Sequence, residues 1–142
     1  MQYFQLKGKK EIYYSLNNVN IELKYLSSGK YGISIKLAGY NDNREIDKNL
    51  RKILLDTNGY IEVNANTFVD LIGIKIEVND VQGTVSTIKT SDIKQSTIDI
   101  INYENDYIDL VWTGVTDMKY NKNFKNDVKF NLETKCRVKQ TL

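Results

Sequence analysis

The sequence predicts a mainly β protein, an antiparallel β-sandwich with one α-helix, with a closed β-barrel carrying one helix as the alternative. Three observations predict it. From 128 to 138, Val128, Phe130, Leu132, Thr134, Cys136 and Val138 alternate with Lys129, Asn131, Glu133, Lys135 and Arg137, the period-two signature of a strand with one buried and one wet face. Ile108, Leu110, Trp112, Gly114, Thr116 and Met118 form a second such series, with Asp109 and Asp117 on the opposite face. The polar stretch Lys119 to Asp127 between them is short enough for an antiparallel hairpin.

Charge and volume propose a register for that hairpin. Asp117 across from Lys129 places Asp109 across from Arg137, Gly114 against Leu132 and Trp112 against Thr134. Opposite charges then face each other, worth roughly 0.2–1 kcal/mol per pair. A one-residue slip would turn every apolar side chain to water.

The remaining elements follow in order. Tyr3 to Leu6 and Glu11 to Leu16 read as short strands around a Lys7-Gly8-Lys9 turn, and Val19, Ile21, Leu23 and Tyr25 as another. Ser27-Ser28-Gly29-Lys30 turns the chain into Tyr31, Ile33, Ile35 and Leu37. A helix is expected after Asp42 and Glu45, which match a capping box, with Ile46, Leu50, Ile53 and Leu54 as its apolar stripe and Asn58-Gly59 as its stop. Strands resume at Tyr60 to Asn64. They continue through the alternation of Ile72, Ile74, Ile76 and Val78, then Thr84 to Lys89. A loop over Ser91 to Ser96 precedes Ile98 to Tyr103, which turns through Glu104-Asn105-Asp106. No repeat or linker divides the chain, so residues 1–142 form one domain.

Composition excludes more than it assigns. The 142 residues carry a net charge of only +2, which argues against a nucleic-acid binder acting through global charge. The absence of His removes His-based triads and metal sites, and the single Cys136 allows no internal disulfide and no Cys-based zinc site. With no Pro, turns fall to Gly, Asn, Asp and Ser. The abundance of Lys, Asn and Ile is an AT-rich, bacterial coding bias and carries no mechanism. No stretch has the roughly 18 apolar residues that span a bilayer, and the N-terminus lacks a signal-peptide core. A cytoplasmic protein without cofactor or metal is expected.

Each candidate site competes with a structural explanation. Residues 92 to 117 hold six acids and one base, whereas 119 to 139 hold seven bases and two acids. Adjacent strands of opposite sign can neutralise each other across the ladder. Alternatively Lys122, Lys125, Lys135 and Lys139 form a basic stripe that meets an acidic partner. Asn102, Glu104, Asp106 and Asp109 space oxygens loosely like a calcium loop, without its turn Gly or distal Glu, so a polar hairpin turn is the better account. Asp109 and Asp117 would stand roughly 27 Å apart on an extended strand, beyond the span of about 5–10 Å that glycosidase carboxylates need. Tyr25, Tyr31, Phe130 and Trp112 are core candidates, and Cys136 an inert buried thiol. Tyr13, Tyr14, Tyr40, Tyr103, Tyr107 and Tyr120 are candidates for partial exposure. Tyr120 stands beside Lys119, Lys122, Phe124 and Lys125, and these five residues are the candidate partner-binding set, since Tyr anchors interfaces at low entropic cost.

The run Trp112-Thr113-Gly114-Val115-Thr116-Asp117-Met118-Lys119-Tyr120, followed by Asp127-Val128-Lys129-Phe130, resembles the C-terminal hairpin of small β-rich bacterial immunity proteins of contact-dependent and polymorphic toxin systems. The resemblance covers about the last quarter of the chain and rests on a loose W-x-G-x-x-D pattern. It implies a cytosolic non-enzyme that binds a cognate toxin domain and blocks its active surface. The resulting expectation is a protein-binding module with no nucleic-acid or membrane partner. The alternative is a small barrel holding an apolar or carbohydrate ligand.

Overall fold

The computed structural model describes residues 2–8, 11–87, 89–118 and 127–141, with the backbone alone for residues 80, 81 and 141. The strands are β1 (Tyr3–Lys7), β2 (Glu11–Ser27), β3 (Lys30–Tyr40), β4 (Lys52–Asp56), β5 (Ile61–Val63), β6 (Lys75–Glu77), β7 (Asp80–Ser86), β8 (Thr90–Glu104), β9 (Tyr107–Thr116), β10 (Val128–Arg137) and β11 (Lys139–Thr141). One four-residue helix, α1 (Phe68–Leu71), lies between β5 and β6.

The sheet closes on itself. Its path runs β2-β1-β10-β9-β8-β7-β4-β3, and β3 pairs back onto β2, giving an eight-stranded antiparallel barrel. The expected sandwich is therefore replaced by the barrel alternative. Both architectures give strands one dry and one wet face, so alternation alone could not separate them. Two meanders, β1 to β4 and β7 to β10, are joined by the ladders β4–β7 and β1–β10. One end of the barrel carries the β1–β2, β3–β4, β7–β8 and β9–β10 connections. The other carries the β2–β3 and β8–β9 turns and the long excursion from β4 to β7. Beyond the eight-strand path, β5 pairs β3, β6 pairs β8 and β11 runs parallel to β2.

Eight strands leave an interior just wide enough for side chains to fill, and here large ones fill it. Trp112, Phe130, Phe4 and Tyr14, from β9, β10, β1 and β2, form a continuous aromatic file with ring centroids 6.0, 5.9 and 5.8 Å apart. All four are buried. The Trp112 indole N–H donates to Ser96 Oγ at 2.9 Å, and that hydroxyl donates to the Val78 carbonyl. At the other end of the file the Tyr14 hydroxyl donates to the Leu50 carbonyl at 2.6 Å. Each buried polar tip is satisfied, as burial requires.

Two turns are set by residues that tolerate positive φ. Ser28 and Gly29 (φ 52° and 77°) join β2 to β3, and Asn105 and Asp106 (φ 53° and 65°) join β8 to β9, the handedness that two-residue hairpins favour. The two strands expected over 11–16 and 19–25 are a single 17-residue strand, β2, bent at a bulge between Asn17 and Asn20 where Asn18 takes a left-handed conformation.

The helix expected after Asp42 does not form. Asn41 and Asn43 side chains accept the backbone N–H groups of Asn43 and Glu45, and the Asp47 carboxylate accepts that of Asn49, leaving only a 3-10 turn at Lys48–Leu50. These local bonds compete directly with helical ones. The following residues become β4, with Ile53 and Leu55 buried and Leu54 exposed, because closure needs a strand between β3 and β7 more than a second turn of helix. The helix that does form caps on Thr67, whose Oγ1 accepts the Asp70 N–H, and it buries Phe68 and Leu71. The loop expected over 91–96 belongs to β8, held by β7 and β9 on its two sides.

The β9–β10 register is displaced by two residues from the expected one, keeping every face assignment. Lys129 faces Val115, Asp109 faces Lys135, Gly114 faces Phe130 and Trp112 faces Leu132. Steric fit decides it. A Cβ at Gly114 would meet Phe130 Cε2 at 2.9 Å and collide with the Gln95 carbonyl oxygen and Ser96 Cβ. Gly114→Ala should therefore cost about 1–3 kcal/mol through overpacking, read as a lower urea midpoint at unchanged m-value.

Candidate interaction surface

The candidate partner-binding residues Lys119, Tyr120, Lys122, Phe124 and Lys125 lie outside the described residues. The flanks of their segment are described. Met118 is buried, and Thr116 Oγ1 donates to the Asp92 carbonyl at 2.9 Å. Asp127 pairs with Lys94 at 3.0 Å. Lys94 is the extra residue of a bulge between the Ile93–Thr116 and Gln95–Val115 pairs, which turns its side chain toward the start of β10.

The proposed basic stripe divides. Lys135 stands across from Asp109 and Lys139 beside Glu22, so these two have acids opposite, as neutralisation across the ladder requires. Lys122 and Lys125 are outside the described residues. The loosely calcium-like residues are taken up in the β8–β9 turn, where Asp106 accepts the Tyr103 hydroxyl at 2.9 Å. That bond, then burial and the carboxylate's charge, raise the Tyr103 phenol above its ordinary value. Among the described residues, no three His, Cys, Asp or Glu side chains are grouped to hold a metal, and no helix is long and apolar enough to cross a membrane. Of the tyrosines expected to be partly exposed, Tyr13, Tyr40 and Tyr107 are exposed and Tyr103 is half-buried, whereas Tyr14 is in the core. Tyr25, expected in the core, is exposed instead, and Tyr31 is half-buried. They continue the inward rows of β2 and β3 past the point where the barrel can cover them, and their rings meet edge-on at 5.4 Å.

The largest aliphatic exposure gathers at the end of the barrel that carries α1 and the β8–β9 turn. Val69, Ile72, Ile74 and Ile101 are 55, 39, 43 and 57 % exposed. Three contacts hold their elements together. Ile72 bridges to Ile100, Lys75 pairs with Asp99 in register and as an ion pair at 3.6 Å, and Phe68 stacks on Tyr103 at 5.8 Å. Ile101 follows inward-facing Ile100 and so points outward, and it is also the extra residue of a second β8 bulge, between the Ile100–Leu110 and Asn102–Asp109 pairs. Ile72 and Ile74 begin the alternating row that runs on to Ile76 and Val78. Their row is inward-facing, but it runs past the rim before Ile76 and Val78 enter the core. The adjacent Ile100-Ile101 pair was the signal available in the sequence, since two successive aliphatics interrupt period two.

Open hollows also mark the surface. An open hollow of about 530 Å³ lies beside Tyr25 and Tyr31 and is bounded by Asn64, Asn66, Lys30 and Asp70. Another of about 450 Å³ crosses the outer faces of β8, β9, β10 and β1, with Lys7 and Lys129 on its border.

Cys136 is half-buried on β10, and burial, reinforced by the Asp109 carboxylate, pushes its thiol up to about 11. The folded protein keeps this proton after an unfolded chain releases it near 9, so the thiol's contribution to stability is lost as pH rises between the two values. Iodoacetamide labelling at pH 8 should be about a hundredfold slower in the folded protein than in urea, since the thiolate is the nucleophile. Equal rates would show the thiol to be unprotected. No protein-family model matches the chain, and neither a curated protein nor a solved structure matches it.

Proposed function

We propose that the protein is a non-catalytic binding module whose partner is another protein, and that it neutralises a bacterial toxin domain by covering its active surface. One observation carries this reading: the barrel interior is occupied by Trp112, Phe130, Phe4 and Tyr14, while aliphatic side chains stand in water outside it. Apolar surface left exposed at one place on a folded domain marks interaction, and a filled barrel directs recognition to its outside. The segment Lys119 to Asp127 carries three lysines and two aromatic residues, a composition suited to steering and anchoring.

The test is affinity capture with the full chain at physiological salt, together with co-expression beside the product of the gene that precedes it. A stable partner whose toxicity is suppressed is expected. Recovery of no partner would count decisively against the reading. Charge reversal at Lys122 and Lys125 should slow association several-fold and flatten its salt dependence if this segment makes the contact.

A second reading, a carbohydrate ligand at the barrel mouth, is favoured by the hollow where the Tyr25–Tyr31 pair meets Asn64 and Asn66. Rings beside amides suit sugar faces and hydroxyls. Titration with an oligosaccharide panel would then change tyrosine fluorescence in the parent protein and not in Tyr25→Ala. An unchanged signal across the panel removes this reading.

A further inference from the structure

The described surface with the strongest chemical signature lies at the end of the barrel away from the β9–β10 connection. Its centre is aliphatic: Val69 from α1, Ile72 and Ile74 from the approach to β6, and Ile101 from the β8 bulge. Its border is acidic. Residues 67–78 and 97–106, the two stretches that build it, contain Asp70, Glu77, Asp99, Glu104 and Asp106 against the single base Lys75. That base is already engaged with Asp99. Among the other described bases, Lys30 shares a hollow with Asp70 but is ion-paired with Glu62 at 3.3 Å, and Arg137 and Lys139 share one with Asp106, Lys139 standing beside Glu22. Asp70, Glu77, Glu104 and Asp106 are exposed.

The geometry points to this α1–β6–β8 surface as the docking face for a protein partner that presents a basic surface around an apolar centre. The inference rests on the protein-binding reading above and assigns the contact to the end opposite the Lys94–Asp127 ion pair. An apolar centre that is desolvated inside a charged rim is the arrangement of an interface core and its border, and a rim of one sign selects a partner of the other sign. The aliphatic side chains alone would not choose among partners; the acidic border does. Ile101 stands on the outer face of β8 as the extra residue of its bulge, with no register partner on β9.

The test uses the full chain immobilised as bait in an extract of the cells that make it. The variants are Ile101→Asp, a second patch variant Val69→Lys, the double reversal Asp99→Lys with Glu104→Lys, and Leu54→Asp on the exposed face of β4 as a control. Thermal unfolding is measured for each, and the two independent patch substitutions ensure that one misfolded variant does not decide the result. The expected outcome is a basic protein retained equally by the parent and Leu54→Asp. Its retention should fall at least tenfold with Ile101→Asp or Val69→Lys and more steeply at higher salt, and heparin, a soluble polyanion, should release it. A partner retained undiminished by the folded patch variants overturns this surface while leaving the protein-binding reading standing, as does an acidic partner or a second copy of this chain revealed by light scattering. Recovery of no partner by any bait overturns both.

Discussion

The interior of a small closed barrel must be filled, and the file Trp112–Phe130–Phe4–Tyr14 does most of that here. Flat rings in edge-on and stacked contact occupy the space between opposing strands with little void, the condition for interior-like packing density. Their polar tips then tie the barrel to its surroundings. Through Ser96, Trp112 reaches Val78, the point at which the β4-to-β7 excursion rejoins the wall. Through its hydroxyl, Tyr14 holds Leu50, which closes the other end. Gly114 is the concession this packing demands: it lets β8 and Phe130 approach β9 more closely than any side chain would allow.

A wall closed in this way offers few unpaired strand edges to another molecule, since pairing all round is what removes them. Recognition then falls to side chains on the outer faces and at the two ends. Irregularities in the pairing decide which side chains those are. The two β8 bulges place Lys94 beside Asp127 at one end and release Ile101 into solvent at the other. The excursion between β4 and β7 adds α1 and β6 to only one end, so the two ends differ in chemistry as well as in shape. One has an aliphatic centre with acids around it; the other has the Lys94–Asp127 ion pair.

Much of the strand content was legible because hairpins are local. β2 with β3, β8 with β9 and β9 with β10 were visible in alternation and turn residues, and the faces of Val128 to Cys136 were assigned as the structure has them. The β9–β10 register was misplaced by two residues because charge was allowed to choose it. An exposed pair is worth a fraction of a kcal/mol, less than the fit of the Phe130 ring into the space left by Gly114. The helix after Asp42 failed for a related reason: Ile46, Leu50, Ile53 and Leu54 do fall on a helical stripe, but Ile53 and Leu55 fall equally well on a strand face. Asn41, Asn43 and Asp47 then spent the local backbone donors on turns.

By itself the sequence determined a mainly β chain without histidine chemistry or an internal disulfide, together with the inward faces of the hairpin strands β3, β9 and β10, since composition and period two are local properties. Only the tertiary structure decided that the strands close into a barrel. That choice rests on β1 finding β10 and β4 finding β7, pairings between segments far apart in the chain that no local pattern encodes. The tertiary structure also decided where apolar side chains outrun the wall that should cover them. Exposure at Ile72, Ile74, Tyr25 and Ile101 depends on where the rim and the bulges fall, and those positions follow from how the closed sheet shares its register among all eight strands.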